Sequence, residues 1–275
     1  MIKFAVMTFM YAGWVKSENG SHEELIRILA ESRADGMEAF CNIFMGNDKL
    51  LKLYQKKLQA NELKMPVMDL ITNLASADKK ERAEAYEKMR MGIDICDSLG
   101  TEIIHIAGCK LPEGVSPEDG RKLIAEGLND FVDEVEKRGM ILAFENFDPS
   151  PNLICSAADC LDILEKTNHR VKFVFDTGNF EAAGEHAEDC FESLFPHTCH
   201  FHFKDFVSDD SPRGYRGTHF GQGMIKNREI AQAIRNSNYN GWVALESYPQ
   251  NGNGPSETIL QELSILKSMF EKRNH

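Results

Sequence analysis

The sequence predicts an α/β protein, a closed (β/α)8 barrel of one domain spanning residues 1–275, and three observations carry that expectation. Eight short apolar runs of strand character recur along the chain, separated by stretches whose apolar residues fall three and four apart. The chain has 275 residues, enough to bury one large core and close to the ~250 residues typical of eight strand–helix units. Parallel strands need crossover connections, and those stretches supply them. An open doubly wound sheet is the alternative, but its GxGxxG fingerprint after the first strand is missing, and Gly221-Gln222-Gly223 lies far too late.

The strand runs are KFAVMTF (3–9), GMEAF (36–40), KMPVMDLI (64–71), EIIHIAG (102–108), ILAFENF (141–147), VKFVFDT (171–177), CHFHFKDF (199–206) and GWVALES (241–247). Helical spacing marks 21–34, 79–99, 118–138, 157–167, 227–237 and 256–273. Ser21 with Glu24 reads as a capping box, and Ser116 before Pro117 as a helix entry. Gly36, Gly100, Gly139 and Gly241 fall where helices end and strands begin, the place for a left-handed residue. The N-terminal apolar run flows into folded chain without a basic start or a small-residue cleavage site, so it reads as the first strand rather than a signal peptide.

Composition narrows the function. Hydrophobic residues make up 42% and charged residues 27%, which excludes a disordered or low-complexity chain. The formal net charge of −12 repels phosphate backbones and anionic lipid, so nucleic acid and membranes are not the expected partners. No apolar run reaches membrane-spanning length. The seven cysteines are odd in number and scattered, with no CxxC spacing, and read as reduced thiols of a cytoplasmic protein.

In a barrel the C-terminal strand ends build the site, and alternate side chains face the lumen. That parity turns Ala143 and Glu145 inward on the fifth strand, Val174 and Asp176 on the sixth, His200, His202 and Lys204 on the seventh, and Ala244 and Glu246 on the eighth. Glu145, Asp176, His202 and Glu246 then converge near one end. Three carboxylates in a low-dielectric lumen require a cation, and oxygen donors with one imidazole suit one divalent ion such as Mn²⁺, Mg²⁺, Co²⁺ or Zn²⁺.

The tokens AFEN (143–146), FDTGN (175–179), HFHFKD (200–205), HFGQG (219–223) and ALES (244–247) resemble, in this order, the xylose isomerase-like barrels. Those include ketose 3-epimerases, hydroxypyruvate isomerase, inosose dehydratase and endonuclease IV relatives. The resemblance implies that Glu145, Asp176, His202 and Glu246 bind one metal and that Glu145 and Glu246 are the catalytic acid–base pair. It implies a sugar substrate whose proton moves beside the carbonyl through an enediolate, giving epimerisation or isomerisation; an inosose-type dehydratase and a non-catalytic sugar-binding barrel are the rivals. Where the family often has a His three residues after the aspartate this chain has Asn179. Two nuclease zinc positions are Tyr215 and Gly217, which removes ligands from a trinuclear cluster and weighs against a nuclease. A homodimer is the assembly expected of such a barrel.

Further substrate-binding candidates are His105, inward on the fourth strand, and Asn179. Lys204 reads either as a contact to a substrate oxygen or phosphate or as a surface lysine. Arg213 and Arg216 lie in the long segment 206–226, and Trp14, near Tyr11 after the first strand, would offer an apolar wall. Glu38 and Asp69 end strands two and three and are given no role.

Overall fold

The computed structural model describes residues 1–248 and 255–271. Among them, eight parallel strands close into a barrel in which each strand pairs with the next in chain order and the last with the first. The barrel strands are β1 (Lys3–Met7), β2 (Gly36–Phe40), β3 (Val67–Leu70), β4 (Ile103–Ile106), β5 (Ile141–Glu145), β6 (Lys172–Asp176), β7 (Thr198–Phe203) and, after the hairpin β8 (Phe206–Ser208) and β9 (Tyr215–Gly217), β10 (Trp242–Leu245). Helices α1 (Ala12–Val15) and α2 (His22–Glu31) follow β1. Then come α3 (Asp48–Ala60), α4 (Lys79–Leu99), α5 (Pro117–Lys137), α6 (Ala157–Lys166), α7 (Ala187–Leu194), α8 (Asn227–Asn236) and α9 (Pro255–Phe270). The expected last helix runs on to 273, and its final two positions lie outside the described residues. No described helix is long and apolar enough to cross a membrane.

The helix entries follow the sequence signals. The Ser21 hydroxyl accepts from the Glu24 N–H at 3.1 Å, and Ser116 accepts from Asp119 N–H at 3.1 Å with Pro117 opening the helix. Gly100 and Gly139 take left-handed φ of 67° and 75°. Gly36 and Gly241 do not: Gly36 opens β2, where a Cβ would sit 2.9 Å from the Lys64 carbonyl and 3.1 Å from the Trp242 ring, and at Gly241 it would sit 2.6 Å from the Tyr239 hydroxyl. Space, not backbone handedness, requires glycine there. Three helices carry no counterpart among the expected ones, the single turn α1, α3 and α7.

Side-chain parity runs as expected. Leu142, Phe144, Phe173, Phe175, Phe201, Phe203, Val243 and Leu245 are buried in the large apolar cluster between strands and helices. The opposite faces meet in the lumen, where Val67, Ile103, Ala143 and Val174 form one small cluster and Ala5, Trp242 and Ala244 another. Burying each such large apolar side chain contributes roughly 1.5–3 kcal/mol, so a one-residue slip of any strand would cost several of these burials at once. That locks the register, and the register positions the polar residues at the C-terminal mouth.

Candidate active site

Asp176 is the register partner of His202, and His202 of Ala244, two residues before Glu246. Glu145 ends β5, which pairs with β6 on its other side. Four consecutive barrel strands thus bring Glu145, Asp176, His202 and Glu246 to one mouth, each no more than 6% exposed. The mouth opens into a 390 Å³ cavity whose lining includes the polar Asp69, His105, Glu145, His202, Lys204 and Glu246 and the apolar Met7, Phe9, Met10, Phe40, Ile71 and Phe147.

Donor atoms of Glu145, Asp176 and His202 lie within 4.8 Å of one another. His202 Nδ1 is 3.5 Å from Glu145 Oε2 and 3.9 Å from Asp176 Oδ2, while His105 Nε2 is 3.7 Å from Glu145 Oε1. Both ring nitrogens are buried without a hydrogen-bond partner. Asp176 Oδ1 accepts from the N–H groups of Gly178 and Asn179, each at 2.9 Å. Burial pushes the Asp176 carboxyl up to about 7, opposed by Lys204 and reinforced by Glu246 and Glu145. Burial also works against the Glu145 charge, but His105, His202 and Lys204 outweigh it and hold that carboxyl below the usual range.

Lys204 is not a surface lysine. Its ammonium lies 2.9 Å from Asp176 Oδ2 and 2.8 Å from Glu246 Oε2, and donates to Asn179 Oδ1 at 3.1 Å. Burial lowers its affinity for a proton, and Asp176 and Glu246 more than reverse that. Gly178 makes the arrangement possible, since a Cβ there would come within 2.5 Å of Lys204 Cγ. Asn179 lines the cavity and donates to the Asn146 carbonyl at 2.7 Å. Arg213 reaches the rim, paired with Asp148 and stacked 4.6 Å from the Tyr215 ring centre.

Two expectations are not met. Trp14 is outside the cavity lining; it packs, half-buried, on the main apolar cluster, and Phe9 and Met10 stand at the wall instead. Arg216 lies opposite Val207 in the β8–β9 hairpin and is exposed to solvent, because its neighbour Tyr215 takes the buried side. Segment 206–226 is ordered by Asp205, whose carboxylate accepts N–H groups of Phe206, Gly221, Gly223 and Ile225 at 2.9–3.2 Å.

Glu38 and Asp69, given no role from the sequence, stand in the lumen at 0% exposure. Asp69 is the register partner of His105 and binds its Nδ1. Glu38 touches His200 Nε2 at 2.8 Å and His202 Nε2 at 3.0 Å. Burial opposes its charge, and the two histidines outweigh that and bring its carboxyl down to about 2. The signal was in the histidines, because two inward imidazoles on one strand require acceptors.

The donor set of Glu145, Asp176 and His202, carboxylate oxygens and an imidazole nitrogen with no hydrogen-bond partner, suits a divalent cation, and the Lys204 ammonium between Asp176 and Glu246 shows that their charge draws a cation to this place. A model of the xylose isomerase-like TIM barrel family matches residues 26–269. The chain belongs to that family. Among xylose isomerase-like barrels, L-ribulose-5-phosphate 3-epimerase UlaE of Shigella flexneri is 23% identical over 200 residues, covering 72% of this chain and 68% of its own. The structure of D-psicose 3-epimerase from Clostridium cellulolyticum H10, solved with D-tagatose, superposes with a TM-score of 0.81 at 16% identity, over 98% of this chain and 100% of that one. The IOLI protein, solved with a bound zinc atom, superposes with a TM-score of 0.80 at 17% identity over 98% of both chains. The two structural likenesses show the shared barrel, and two of these three proteins bear the names of sugar epimerases.

Proposed function

We propose that this chain is a divalent-metal-dependent epimerase or isomerase that shifts a proton beside the carbonyl of a keto sugar or related polyol. The observation that carries the reading is the pair Glu145 and Glu246, lining one cavity from β5 and β10 on either side of Asp176 and His202. Glu145, Asp176, His202 and Glu246 would hold the ion, which when bound would draw electron density from the substrate carbonyl and acidify the neighbouring C–H.

The chain's own groups do the rest. One glutamate, ionised, takes the proton from one side of the sugar; the other, on the opposite flank, returns one. Return to the far face of the same carbon is epimerisation, and return to the adjacent carbon is isomerisation. Both conserve atoms and electrons, so no co-reactant is needed. Lys204 and Asn179 fix the carboxylates between turns, and the apolar wall of Phe9, Phe40 and Phe147 keeps bulk water from the carbanionic carbon.

Ketopentoses, ketohexoses and their phosphates, incubated in D₂O with chelated protein and then with Mn²⁺, Mg²⁺, Co²⁺ or Zn²⁺, test this. The expected result is metal-dependent uptake of one deuterium beside the carbonyl, lost about 10²–10⁴-fold in rate in Glu145→Gln and Glu246→Gln. Loss of water from the substrate would instead make the chain an inosose-type dehydratase. Thermal stabilisation by sugar without exchange would make it a binding barrel, and turnover surviving exhaustive chelation would remove the metal.

A further inference from the structure

Glu38 reaches from β2 across the lumen to β7, and nothing in the proton-transfer scheme uses it. It is fully buried, and its two oxygens face two imidazoles: Oε1 lies 2.8 Å from His200 Nε2, and Oε2 lies 3.0 Å from His202 Nε2. An ionised carboxylate only accepts hydrogen bonds, so the His202 Nε2 that hydrogen-bonds Glu38 must carry the hydrogen. For His202 this has a consequence at the other side of the ring. With the hydrogen on Nε2, the neutral imidazole has its lone pair on Nδ1, the nitrogen that points at Glu145 and Asp176 and has no hydrogen-bond partner.

We infer that Glu38 is a positioning residue: it holds His202 in the tautomer and ring orientation whose Nδ1 is free to ligate a cation, while the His200 ring lies against its other oxygen. The inference rests on the metal reading of the site proposed above. The geometry is that of a carboxylate behind a ligating histidine, an arrangement that orients the ring and raises its basicity. The lumen supports it mechanically. His200 and His202 project from the same face of β7, two residues apart, with ring centres 5.0 Å apart at 86°, so one carboxylate can receive both edges. Sequence separation makes the contact costly to assemble, Glu38 and His202 being 164 positions apart. A purely structural strut, the competing account of a buried ion pair, would be indifferent to which nitrogen of His202 remains bare.

The test uses the full chain loaded with Zn²⁺, with nitrogen-15 in its histidines. The wild type is expected to show His202 ligating through Nδ1, with a protonated Nε2 whose hydrogen is slow to exchange. Glu38→Gln, whose amide can donate as well as accept, is expected to lose that slow hydrogen and to weaken Zn²⁺ and Mn²⁺ binding about 10–100-fold in chelator competition. His200→Gln, which leaves the Glu38–His202 contact intact, is expected to retain the slow hydrogen. Ligation through Nε2, or a Glu38→Gln protein that melts lower but binds metal as the wild type does, overturns the inference. Should Glu38→Gln not fold, the wild-type spectrum decides alone. Metal uptake with no sugar turnover would remove the proposed function and leave this inference standing; a wild type that takes up no metal would sink it.

Discussion

Lys204 Nζ lies 2.9 Å from Asp176 and 2.8 Å from Glu246, with 6% of its side chain exposed. Removing it leaves two buried carboxylates facing each other, and breaking a buried pair in this way costs about 3–5 kcal/mol. At about 2–4 °C per kcal/mol for a chain of this size, Lys204→Met should melt roughly 6–20 °C below the wild type in metal-free buffer at pH 7. Circular dichroism melts check this; a change within 2 °C, below about 1 kcal/mol on the same scale, would mean that water already solvates the carboxylates. At this scale the sequence was partly legible. Parity on four strands turned Glu145, Asp176, His202, Lys204 and Glu246 inward, because the period of two is rigid. It said nothing of what each inward group would touch. Glu38 and Asp69 were passed over because a lone acid in GMEAF or VMDL points in or out according to register, and register is a property of the neighbouring strands. Trp14 and Arg216 went astray for the same reason: both lie off the barrel strands, where no periodicity fixes direction.

Among the outer elements, α2 and α3 meet where His22 Nδ1 pairs with the Tyr54 hydroxyl at 2.8 Å, their rings edge-on at 5.5 Å. Burial disfavours the cation and lowers the His22 imidazole below its ordinary value. A histidine depressed in the folded state contributes stability that is fully present above the unfolded value, about 6.5, and that is lost as pH falls through it toward the folded value. His197, lowered by burial and by His169 and Lys172, acts in the same direction. His186, raised by Glu181, acts in the opposite one from an exposed position. Between pH 7.5 and 5.5 the buried Asp176, raised to about 7, gains stability on protonation while His22 loses it, so the reading is a difference. The urea midpoint of His22→Gln should fall less, or rise more, than that of the wild type, and equal changes would exclude His22. Element by element, the strands were the most legible, since each is a dense apolar run. Helix α3 escaped because it buries only Tyr54 and Leu58 beneath a Lys- and Gln-rich surface, and α7 because eight residues hold barely two turns of pattern.

Across the whole molecule the net charge of −12 is distributed unevenly. Glu38, Asp69, Glu145, Asp176 and Glu246 are gathered in one lumen, where, among the described residues, the Lys204 ammonium and the imidazoles of His105, His200 and His202 lie against them. Burial raises the energy of each unpaired charge, so the metal-free barrel carries an electrostatic debt at its C-terminal mouth while its apolar layers hold the strands in place. A cation that binds the folded barrel and not the open chain must then stabilise the entire fold, because closure of the barrel is what brings β5, β6, β7 and β10 together. At a free ion concentration of 100 times its dissociation constant the gain is about 2.7 kcal/mol, equivalent to about 5–11 °C at 2–4 °C per kcal/mol. Melting the chelated protein with and without Mn²⁺ reads this directly, and Asp176→Asn supplies the control. If the lumen is the seat of the effect, the shift shrinks in that variant; if surface carboxylates bind the ion, wild type and variant shift alike.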